Sequence, residues 1–145
     1  MVKKLAALFL AVLMAFSCLS VLASDAKKTY KTDEITEFGS EVTKKDGYFN
    51  IKKAQSWFGI KNVDLTGVKS IEIKAKEYRD PNGEIFRVKV DDPNSLSIGE
   101  IVFGDGSDTA SGNISEQKGV HTVYLYTTLL STGAKWEIET ITLKS

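Results

Sequence analysis

From Ser70 onward the chain is dominated by short segments in which apolar and polar residues alternate one for one. That period of two marks strands with one buried face. Ser70 to Lys76 places Ile71, Ile73 and Ala75 on one side, and Glu84 to Val90 places Phe86, Val88 and Val90 on one side with Arg87 and Lys89 opposite. Ser97–Phe103, Val120–Tyr126 and Trp136–Leu143 are three further runs. The segments Arg79–Gly83, Asp91–Ser95 and Ser131–Gly133 carry turn chemistry, with proline, glycine or asparagine where φ must be fixed or positive. Gly104 to Gly119 reads as one long loop, and nothing between the runs has helical periodicity. Strands of this length without intervening helices predict an all-β domain, an antiparallel β-sandwich. Tyr48–Ile51 and Ser56–Ile60 are two candidate strands in the less legible first part.

The N-terminus has a different character. Lys3 and Lys4 precede an almost unbroken apolar run from Leu5 to Leu22, and Val21-Leu22-Ala23 offers small or aliphatic residues to a signal peptidase. Residues 1–23 are expected to be a secretory signal peptide and residues 24–145 a single exported domain. An alternative cut lies before Cys18, which would leave a lipid anchor at the cell surface; the preceding Ala15-Phe16-Ser17 matches that pattern poorly. Cys18 is the only cysteine, so the domain after the cut has neither disulfide nor thiol chemistry. Loss of Lys3 and Lys4 leaves 17 basic against 19 acidic side chains, a net charge of −2. That balance argues against a nucleic-acid partner, and no second apolar run is long enough for a membrane-spanning helix.

Asn62-Val63-Asp64-Leu65-Thr66-Gly67-Val68, followed by Phe86-Arg87-Val88-Lys89-Val90, Ile98-Gly99-Glu100-Ile101-Val102 and Gly119-Val120-His121-Thr122-Val123-Tyr124, resembles a family 6 carbohydrate-binding module in order and spacing. Trp57 falls where that family carries a tryptophan, and Ile60 replaces a tyrosine. The resemblance spans about Tyr48 to Leu143. It implies a jelly-roll sandwich that binds plant-type polysaccharide, of the xylan or β-glucan class, without cleaving it. The sugar would be clamped between two aromatic rings in loops at one end, beside an asparagine ahead of the last strand.

The residues match that site only in part. Tyr48 stands for one ring, and the loop from Gly104 carries no aromatic residue up to Asn113. Trp136 either replaces the missing ring or belongs to the core, and Glu137 stands at the asparagine position. Trp57 reads as a core or inter-strand residue ahead of a stacking one. The resemblance also implies a structural calcium, for which Glu37 and Glu139 are the nearest matches. Asp105 and Asp108 form a second acidic pair, read more simply as a solvated loop. His121, the only histidine, has no nucleophile beside it and is expected to serve structurally where a strand begins. No carboxylate pair stands out for glycosidic cleavage, so an enzyme is not expected. The rival expectation is a jelly roll that has lost its sugar site and docks onto another secreted or cell-surface protein.

Overall fold

The computed structural model describes residues 28–39, 41–79, 83–104, 106–128 and 135–145. The expected leader, residues 80–82 and the Ser131–Gly133 turn lie outside them. Eleven strands are described: β1 Lys28–Lys31, β2 Glu37–Phe38, β3 Val42–Lys45, β4 Tyr48–Ile51, β5 Trp57–Asp64, β6 Ser70–Arg79, β7 Glu84–Val90, β8 Gly99–Phe103, β9 Thr109–Asn113, β10 Val120–Thr127 and β11 Lys135–Lys144. One 3-10 turn, Thr32–Glu34, follows β1.

The strands form two antiparallel sheets. One runs β3-β4-β11-β6-β9, with β1 also paired to β11, and the other runs β2-β5-β10-β7-β8. The expected β-sandwich is therefore the fold. The period-two readings hold in detail: Ile71, Ile73, Phe86 and Val88 are fully buried and Ala75 nearly so, while Arg87 is exposed. The core lies between the sheets and is threaded by aromatic rings. Phe49 meets Phe58 at 5.3 Å between centroids, Phe58 meets Phe86 at 6.3 Å, and Phe86 meets Phe103 at 5.9 Å. Each such ring withdraws roughly 1.5–3 kcal/mol worth of apolar surface from water.

The expected long loop from Gly104 to Gly119 contains a strand, β9, paired to β6 from Ser70↔Asn113 to Lys74↔Thr109. Its composition hides it, because Ala110 alone supplies a buried apolar side chain. Two glycines explain its position. A Cβ at Gly112 would strike the Glu100 carbonyl oxygen, and one at Gly99 would strike that of Asn113. Without side chains there, the backbones of β8 and β9 come together and join the two sheets along one edge. A Gly99↔Ile114 bridge and a 2.7 Å bond from Ser115 N–H to the Ile98 carbonyl complete the seam.

Buried polar groups tie the remaining loops down. The Glu84 carboxylate accepts from the backbone N–H of Ile85 at 2.9 Å and of Thr128 at 3.1 Å, fixing the end of β10 against the start of β7. The Thr127 hydroxyl does the same for Ser56.

Candidate functional site

The expected clamp does not assemble. Trp136 is fully buried, its indole set edge-on against Phe86 at 5.4 Å and Phe103 at 4.7 Å. A ring enclosed on these sides offers no face to a sugar, so the platform reading of Trp136 gives way to the core reading. Alternation then sends Glu137 to the outer side of the six-stranded sheet, where it pairs in register with Asn50 and Glu77. Glu137 is only 6% exposed. Tyr48 shares that outer side, since its neighbours Phe49 and Ile51 point inward, and its half-buried ring lies under Lys76 Nζ at 4.5 Å. Tyr48 and Glu137 therefore share a face, and Trp136 points the other way.

The two carboxylates named for calcium stand in different sheets. Glu37 belongs to β2 in the five-stranded sheet and binds Lys61 at 2.7 Å, while Glu139 belongs to β11 in the six-stranded sheet and binds Lys74 at 2.9 Å. Glu139 instead lines a pocket of about 400 Å³ with Lys31, Asp33 and Asp46. Among the described residues no three His, Cys, Asp or Glu gather as metal ligands. Asp105 lies outside the described residues, and Asp108 spends a carboxylate oxygen on its neighbour Thr109.

The aromatic residues that do come together lie on the outer face of the five-stranded sheet. In β5, Phe58 and Ile60 point inward, leaving Trp57 and Gly59 outward; in β10, Val123 and Leu125 point inward, leaving Tyr124 and Tyr126 outward. Register sets Tyr126 opposite Trp57 and Tyr124 opposite Gly59. The Trp57 and Tyr124 rings meet edge-to-face at 5.2 Å. Two glycines make room for them. A Cβ on Gly59 would stand 2.8 Å from the Tyr124 ring, and one on Gly39 would stand 3.2 Å from the Trp57 indole. Tyr124 thus lies down over β5 and is 9% exposed, while Trp57 and Tyr126 stay half-buried.

Charged residues frame this patch. On β7, Arg87 is opposite Tyr126 and Lys89 opposite Tyr124. Arg87 Nε reaches Glu100 of β8 at 3.3 Å, and Lys61 reaches Glu37 on the far side. The hydrogen bond that Lys61 donates to Glu37 raises the lysine pKa above its ordinary value. Burial, then the Glu37 carboxylate, raises that of Tyr124. Lys89 Nζ sits 4.5 Å above the Tyr126 ring and donates to the Pro93 carbonyl at 2.9 Å. The signal for this face was in the sequence as two tyrosines two residues apart on the polar side of a strand, with Trp57 in phase on its neighbour.

His121 takes the expected structural role. Its Nδ1 lies 2.8 Å from the Asp91 carboxylate and its Nε2 lies 3.1 Å from the Lys118 carbonyl. Both ring nitrogens face acceptors, an arrangement that only the doubly protonated imidazolium satisfies. The histidine pKa is accordingly raised, first by Asp91, and that of Asp91 is lowered, first by His121. Asp91 has φ 62° and also accepts from the Thr122 N–H at 3.0 Å, so the clasp pins a left-handed residue at the end of β7.

No family model matches the sequence, and no curated protein sequence matches it. Solved structures do. A family 6 carbohydrate-binding module from Clostridium cellulolyticum, in complex with xylose, aligns with a TM-score of 0.67 at 17% identity, over 81% of this chain and 97% of that one. A β-1,3-glucan-binding family 6 module from Bacillus halodurans gives 0.62 at 18% identity, over 81% and 96%. A third, from Clostridium stercorarium in complex with cellobiose, gives 0.62 at 17% identity, over 80% and 92%. The chain is thus similar to several family 6 carbohydrate-binding modules over most of its length, and its β-sandwich is the fold they share.

Proposed function

We propose that this chain is a non-catalytic carbohydrate-binding module that acts outside the cell. It lays a β-linked polysaccharide of the xylan or β-glucan class along the outer face of its five-stranded sheet. The observation that carries the reading is the grouping of Trp57, Tyr124 and Tyr126 on that face, framed by ion-paired side chains that can exchange hydrogen bonds with hydroxyls. A pyranose presents a C–H face that packs flat on a ring, and covering ~80 Å² in this way is worth about 2 kcal/mol. Millimolar affinity needs about 4 kcal/mol. One ring falls short of that, whereas Trp57 and Tyr126 together reach it. Neighbours of this fold that bind xylose, cellobiose and β-1,3-glucan support the same ligand class.

Affinity electrophoresis in gels containing xylan, mixed-linkage β-glucan or laminarin tests this. Retardation by at least one glycan is expected, with Trp57→Ala and Tyr126→Ala each restoring free migration and Tyr48→Ala changing nothing. Unretarded, folded protein across the panel would overturn the reading and favour a jelly-roll domain that docks onto another protein.

A further inference from the structure

We propose that the aromatic face selects an acidic polysaccharide, with Lys89 holding a uronate carboxylate beside the Tyr126 ring. This rests on the reading that the face binds sugar and names the substrate class it takes. The charges of the face are otherwise balanced in pairs. Glu37 is matched by Lys61 at 2.7 Å and Glu100 by Arg87 at 3.3 Å. Lys89 has a carbonyl and a ring for neighbours, the Pro93 oxygen at 2.9 Å and the Tyr126 centroid at 4.5 Å, and among the described residues no carboxylate is bound to it.

Two carboxylates lie beyond Lys89, and both bear electrostatically on Tyr124. Asp91 is held by His121 and the Thr122 N–H, and Asp92 accepts from the Asn94 N–H at 2.8 Å. An ammonium carries three donors. Pro93 takes one and the ring attracts the charge, so donor capacity remains for a ligand. The ammonium is also tethered at both ends of its reach, which lowers the entropy lost when a carboxylate joins it. Its position matters as much as its charge. Register places Lys89 directly across from Tyr124, and its head reaches over Tyr126. A sugar stacked on this patch with its C5 edge toward β7 brings its C5 substituent near the cation. A neutral pyranose has a hydroxymethyl group or a hydrogen there, and a uronate has a carboxylate.

Uronate reaches such a face either as a side branch on a neutral backbone or as every residue of the chain. Calorimetric titration distinguishes these with two probes, glucuronate-substituted xylan and β-1,4-linked oligoglucuronate, each compared with its carboxyl-reduced form. At low salt the acidic form of at least one is expected to bind about fivefold tighter, ~1 kcal/mol, with the gap closing as salt screens it. Lys89→Met keeps an unbranched apolar stem over Tyr126 and should erase the gap between the acidic and carboxyl-reduced forms. Lys89→Arg should preserve the gap and guards against a packing effect. Equal binding of acidic and reduced forms overturns the acidic preference while the sugar-binding reading stands. A gap that survives in Lys89→Met overturns the assignment to Lys89. Absence of binding to every probe, by protein with native circular dichroism, overturns the acidic preference; the sugar-binding reading falls only if the xylan, β-glucan and laminarin gels also leave migration unchanged.

Discussion

Trp57 and Trp136 carry the same side chain into opposite surroundings, and that contrast makes them separable by experiment. Trp136 is fully buried against Phe86 and Phe103. Truncation to alanine should cost about 3–5 kcal/mol of folding stability, seen as a lowered urea midpoint. Trp57 is half-buried with one edge against Gly39, so Trp57→Ala should cost distinctly less stability while removing glycan binding. His121 and Asp91 give a prediction in pH. The histidine pKa is raised above its ordinary 6.5, so its contribution is complete below that value and is lost as pH rises through the raised value. The Asp91 pKa is lowered below its ordinary 3.8, so its contribution is present above 3.8 and is lost as pH falls through the lowered value. Melting curves should show stability declining as pH is raised above 6.5, and Asp91→Asn should flatten that step. An unchanged step in Asp91→Asn would place its origin elsewhere.

At the scale of the element, two pairs of glycines set where backbones and rings approach. Gly112 has no room for a methyl group, because the obstruction is the backbone oxygen of Glu100 and not a movable side chain. Gly112→Ala should therefore pry β9 from β8 and cost roughly 1–3 kcal/mol by chemical denaturation. Gly59→Ala meets the Tyr124 ring, which can rotate away, so the expected loss is in glycan affinity more than in stability.

The same elements show what could be read beforehand. Strands with a clean period of two, β6 and β7, were legible because burial on one face leaves its mark on alternate residues. β9 was not, because its position rests on glycines and on small polar residues whose backbone does the pairing. β1, β2 and β3 are two to four residues long, too short for a period to register. The binding face was half legible. Trp57, Tyr124 and Tyr126 stand in visible alternation, but strand order is needed to set β5 beside β10. The sequence leaves Trp136 open because a tryptophan after a turn reads equally as a loop crown or as the first core residue of a strand.

For the whole molecule, the two sheets divide the labour. Their inner faces share one aromatic core, so stability is cooperative across the sandwich, and the outer faces differ in chemistry. The six-stranded sheet presents charged and hydroxyl side chains, including the Lys74–Glu139 and Lys144–Glu72 ion pairs and the Thr29–Thr142 hydroxyl contact. The five-stranded sheet presents Trp57, Tyr124 and Tyr126. Binding on one outer sheet face leaves the core undisturbed, so a bound glycan should raise the melting temperature by mass action alone. The most direct test of the sugar face is intrinsic tryptophan fluorescence during titration with xylan and β-glucan oligosaccharides. Trp57 is the accessible reporter and Trp136 the enclosed one. A saturable blue shift that disappears in Trp57→Phe, with Trp136 still emitting from the core, is the predicted result. A flat trace from folded protein across the panel, or a shift that survives in Trp57→Phe, would contradict it.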